Sequence, residues 1–168
     1  MTDDDLRLKF TGPFILERVY PTAAELVVGY EHGWLGPRDA VEVTLAKLKA
    51  GSSLAPEEES IALLLSDDLD QVDDLIAALR QRVEPAGFEP VRVWLYLALG
   101  WLWARRTSIE DPHRMLEEVY TQFGYPSEIA HLVEYMPVQP GGRVGPTAID
   151  DNWEEYLRAR SVEYARTR

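Results

Sequence analysis

Apolar positions recur along most of this chain at the three-and-four spacing of a helix, and turn residues separate one run from the next. Leu26, Val27, Tyr30 and Trp34 make the first clear stripe. Thr22 stands before it as a cap and Glu25 follows three residues later, the pattern of a capping box. Gly33 and Gly36-Pro37 end that helix, and Pro37 opens the next, since proline loses no hydrogen bond at a first helical position. Val41, Leu45 and Leu48 are expected on its inner face, and Gly51 stops it. Pro56 opens a third run with Glu57-Glu58-Glu59 in its first turn, where the helix dipole favours negative charge. Ile61, Leu64 and Leu65 follow, Asp67-Asp68 interrupt, and a longer helix reaches about Val83 with Leu69, Val72, Ile76, Leu79 and Val83 inward.

The stretch from Pro90 to Ala104 differs. It holds three of the five tryptophans and has no charged residue from Val93 to Ala104. A helix apolar all round is either buried on every side or inside a membrane. A span needs roughly 20 apolar residues, and Arg92 and Arg105-Arg106 frame a shorter run. The sequence therefore predicts a buried central helix near 91–105. Beyond it, Asp111-Pro112 caps a helix carrying Met115, Leu116, Val119, Tyr120 and Phe123. Gly124 closes it, and Pro126 begins another with Ile129, Leu132, Val133 and Met136. Residues 138–148 read as a Gly/Pro loop and 149–168 as a C-terminal helix with Trp153, Tyr156 and Leu157 at helical spacing. Residues 1–20 read as an extended N-terminal arm, with brief alternation from Leu6 broken at Gly12-Pro13. A short strand there, or a helical turn after Pro13, is open. The expected fold is all-α: one domain, residues 1–168, of about seven or eight helices around the buried one.

Length and composition agree with one ordinary globular domain. There are 168 residues, enough for a sizeable core, and no cysteine, which removes disulfides, thiolate metal sites and a cysteine nucleophile. The acidic N-terminus is followed by no apolar run, unlike a secretory signal, so a cytoplasmic location is expected. The net charge of −12 changes the picture more. Nucleic-acid binding needs a basic face, so neither nucleic acid nor membrane is an expected partner. The acidity is uneven, with 16 Asp and Glu against 7 Lys and Arg in residues 1–80. Residues 57–74 carry eight carboxylates (Glu57, Glu58, Glu59, Asp67, Asp68, Asp70, Asp73 and Asp74) and no Lys or Arg. Unrelieved like charge opposes compactness. Either two acid-rich helix N-termini follow one another, as the dipole favours, or a basic partner meets this face.

Candidate chemistry is sparse. His113 and Glu117 are four apart and could share a metal on one helix face, but a surface histidine beside a carboxylate explains them as well. Adjacent acids such as Asp150-Asp151 point in different directions on a helix and make no catalytic pair. Gly141-Gly142-Arg143-Val144-Gly145 lacks the Lys-Ser/Thr and the strand–turn–helix setting of a phosphate loop. No catalytic residue, metal site or cofactor is predicted. Trp94, Tyr96, Trp101 and Trp103 could line an apolar pocket, although core packing accounts for them.

Three pieces together carry a resemblance: Gly33-Trp34-Leu35 before a helix, Trp94-Leu95-Tyr96-Leu97 in the central helix, and a run from Tyr120 through Phe123, Tyr125-Pro126, Ile129 and Val133 to Tyr135-Met136-Pro137. The chain resembles, over roughly 25–140, a bacterial domain-of-unknown-function family of small acidic helical proteins. Its members often lie in polymorphic-toxin loci, where small acidic proteins serve as immunity proteins. The resemblance thus implies a non-enzymatic interaction protein, in its sharpest form an immunity protein that binds a basic toxin through residues 57–74. The alternative is a small-ligand-binding protein or an enzyme with a pocket beside the Trp-rich helix and His113/Glu117.

Overall fold

A computed structural model describes residues 6–133 and 146–165; for Pro146 and Thr147 it describes the backbone alone. The fold is all-α, and the described residues contain no strand. The helices are α1 (Gly12–Leu16), α2 (Ala23–Glu31), α3 (Pro37–Lys49), α4 (Pro56–Ala62), α5 (Val72–Val83), α6 (Glu89–Arg105), α7 (Pro112–Gln122) and α8 (Pro146–Tyr164). Two 3-10 segments, Ser66–Gln71 and Ser127–Leu132, join them. The central helix is α6: every residue from Val93 to Leu99, and Leu102, is buried. No helix among the described residues is long and apolar enough to cross a membrane.

The chain divides into two compact units, and the boundary falls inside α6. The unit of Leu8–Trp94 and Tyr164–Arg168 holds α1 to α5 and the first turn and a half of α6. Its entry segment is extended, not stranded. Phe10 donates its N–H to the Trp34 carbonyl at 2.7 Å. Leu8, Phe10, Ile15 and Val19 are buried, so the expected arm supplies core. Thr11 caps α1 by accepting the Phe14 N–H. At α2 the capping box forms as the sequence predicts: Glu25 donates its N–H to Thr22 Oγ1, and Thr22 donates its N–H to Glu25 Oε1 at 2.8 Å. Gly33 closes this helix with φ +74°, a conformation that favours glycine. Trp94 anchors the unit. It is fully buried, donates Nε1–H to the Glu25 carbonyl at 2.8 Å, and lies against the rings of Phe10 and Trp34.

The inner face of α3 is rotated from the expected one. Ala40, Val43, Thr44 and Lys47 are buried, whereas Val41, Leu45 and Leu48 are half-buried. Two polar groups can face inward because each has a partner. Thr44 donates its hydroxyl to the Ala40 carbonyl at 2.8 Å, and Lys47 pairs with Glu58. In α5, Val72, Ile76 and Leu79 are buried as expected and Val83 is half-buried; Leu69, expected on the same helix, is half-buried in the 3-10 segment before it.

The other unit takes Met1–Arg7 and Leu95–Glu163. Trp153 of α8 is fully buried, donates Nε1–H to the Leu99 carbonyl at 3.1 Å, and meets Trp103 edge-on at 5.0 Å. Asp111 caps α7 through the Arg114 N–H, and Leu116, Val119, Tyr120 and Phe123 are buried. The helix expected from Pro126 is a 3-10 segment over its described part, with Ile129, Leu132 and Val133 buried. Tyr135, Met136, Pro137 and the Gly141–Gly145 run lie outside the described residues. The last helix begins at Pro146, inside the stretch expected to be loop, and buries Ala148 and Ile149.

Candidate functional site

The acidic run begins at the α3–α4 turn. Ala55 precedes Pro56 at the first position of α4, which puts Glu58 at the third. A carboxylate there can reach back to the cap, and Glu58 Oε1 accepts the Ala55 N–H at 3.0 Å. Its other oxygen accepts from Lys47 Nζ at 2.5 Å. The two side chains are 2% and 7% exposed, so this is a buried ion pair inside the core. Glu58 therefore turns away from the surface.

Its neighbours are held differently. Glu57 meets Arg82 of α5 in a two-pronged contact, Nε to Oε2 at 2.7 Å and Nη2 to Oε1 at 3.0 Å. That hydrogen bonding holds the Glu57 carboxyl below the ordinary carboxylate range and lifts Arg82. Asp73 accepts the hydroxyl of Tyr30, whose titration is pushed up by burial and then by that aspartate. Glu59, Asp67, Asp68, Asp70 and Asp74 have no side-chain hydrogen bond or ion pair among the described residues. All are exposed except Asp68, which is half-buried.

Between these acids the chain turns two leucines outward. Leu63, just past the end of α4, is 69% exposed, and Leu65, at the cap of the 3-10 segment, is 70% exposed. Leu63 donates its N–H to the Glu59 carbonyl, so the two residues stack one helical turn apart. An exposed leucine alone is ordinary. Two of them within three residues, bracketed by Glu59 and Asp67-Asp68, make an apolar patch rimmed by negative charge. The sequence places Leu65 in an apolar run with Ile61 and Leu64; the structure instead turns it, with Leu63, out to solvent. The available signal was Leu63-Leu64-Leu65, three successive apolar residues at a helix end that cannot all face one core.

A cavity of about 480 Å³ opens beside the buried pair. Its wall includes Thr22 and Ala23 at the start of α2, Lys47, Ser52 and Ser53 in the α3–α4 loop, and Glu58. Tyr20 and Leu54 add apolar surface. No residue of the Trp-rich helix lines it. Nearby Glu25 is half-buried, and desolvation raises its pKa against the lowering effect of its bonds to Thr22 and of the Lys47 charge.

His113, Glu117, Trp101 and Trp103 belong to the unit of Leu95–Glu163. His113 meets Asp150 Oδ1 at 3.0 Å, which ties α7 to α8. Among the described residues no group of three or more His, Asp or Glu side chains is arranged to hold a metal. Trp103 carries the Arg106 guanidinium 3.7 Å above its ring, and Trp101 carries Arg105 at 4.3 Å.

Comparison with curated proteins and with solved structures finds no match to this chain. Over residues 12–161 it matches the model of a family described as an uncharacterized protein conserved in bacteria (DUF2247), well beyond the 25–140 of the resemblance at both ends, and the chain belongs to that family.

Proposed function

We propose that this chain is a non-enzymatic binding protein whose working surface is the acidic patch around Leu63 and Leu65. Its partner is a basic protein. The exposure of those two leucines carries the reading. Acidic residues alone would be explained by solvation. Leucines kept in water between unpaired carboxylates are the usual make-up of an interface, an apolar centre with a charged rim. The face comprises Glu59, Leu63, Leu65, Asp67, Asp68, Asp70, Asp73 and Asp74. Glu57 joins its edge through Arg82, and Glu58 belongs to the core. A toxin with a basic active surface is the specific partner that the family resemblance favours, and blocking that surface would make this chain its immunity protein. Charge complementarity would speed the encounter and fix orientation, and the leucines would slow release.

The test is co-expression with candidate basic toxins, growth being the readout of protection. The Leu63→Ser/Leu65→Ser chain should lose protection while keeping its thermal midpoint. The Asp67→Asn/Asp70→Asn/Asp74→Asn chain should associate more slowly and with a weaker dependence on salt. Full protection by both variants would sink the proposal.

A further inference from the structure

We draw no further inference here: the strongest candidate, the basic and aromatic cluster of Arg105 and Arg106 on Trp101 and Trp103 at the C-terminal end of α6, has each guanidinium stacked on its ring and bonded to a carbonyl of its own helix, and nothing in the structure shows what covers it.

Discussion

Replacing Gly29 by alanine tests how tightly α2 is built onto Trp94. A Cβ at Gly29 would fall 2.0 Å from Cζ2, 2.4 Å from Cε2 and 2.6 Å from Cη2 of that indole. Carbon atoms in contact stand about 3.5–4.0 Å apart, so the ring would have to retreat by about 1.5 Å. It has little room to do so. Trp94 is fully buried, its Nε1–H is committed to the Glu25 carbonyl at 2.8 Å, and Phe10 and Trp34 lie against it at centroid distances of 6.1 and 5.8 Å. Overpacking of this kind costs about 1–3 kcal/mol, and weakening the indole hydrogen bond adds about 1 kcal/mol. Against this, alanine is the better helix former by about 1 kcal/mol. The net expectation is a loss of about 2 kcal/mol, a fall of about 4–8 °C in the thermal midpoint at this chain length. Urea unfolding followed by circular dichroism measures it, and Trp94→Phe in both backgrounds isolates the clash. The two changes should combine to cost clearly less than their sum, because the smaller ring vacates the space that Cβ needs. If Gly29→Ala is as stable as the parent chain, the close approach of α2 to Trp94 is wrong.

Three further outcomes follow from individual contacts. Lys47→Met leaves Glu58 ionised in the core and should cost about 3–5 kcal/mol, read by urea unfolding; adding Glu58→Leu should recover most of it. Glu25 has a raised pKa in the folded chain, so its contribution is fully present below pH 4.5, the ordinary value, and is lost as pH rises through the folded value. Glu25→Gln should therefore gain in thermal midpoint relative to the parent as pH climbs from 4 toward 7; a constant or opposite difference contradicts the desolvation account. Glu84 closes α5 with φ +44°. Glu84→Gly should stabilise by about 0.5–1 kcal/mol, because glycine relieves a left-handed strain of about 1–2 kcal/mol and gives part of it back as unfolded-chain entropy.

Helix boundaries were legible wherever one residue's chemistry decides them. Thr22 with Glu25, Asp111 with Pro112, and Gly33 act within a turn of themselves, and the structure places caps and stops there. The central helix was legible too, since no soluble alternative accommodates twelve uncharged residues so rich in tryptophan. The inward face of α3 was not. Hydropathy ranks Val41, Leu45 and Leu48 above Lys47 one residue at a time. The burial of Lys47 depends on Glu58, eleven positions on, and on the α3–α4 turn that brings the two together. The start of α8 was hidden for the opposite reason. Pro146 among glycines reads as loop, yet a proline at the first helical position is compatible with either outcome.

The same distinction alters the meaning of the acidic run. As a string, residues 57–74 are eight equivalent charges with no counter-charge. In the fold they part company. Lys47 takes Glu58 into the core, Arg82 grips Glu57 from α5, and Tyr30 reaches Asp73 from α2. Lys47 and Arg82 thus supply counter-charge at the turn that starts α4, while at the start of α5 Asp73 receives a hydroxyl hydrogen bond and no counter-charge. From Glu59 to Asp70 the carboxylates have no side-chain hydrogen bond or ion pair among the described residues, and here Leu63 and Leu65 are turned outward. Self-repulsion and exposed apolar surface both oppose stability in the free chain. Their coincidence in one short segment is the feature on which the proposed basic partner rests.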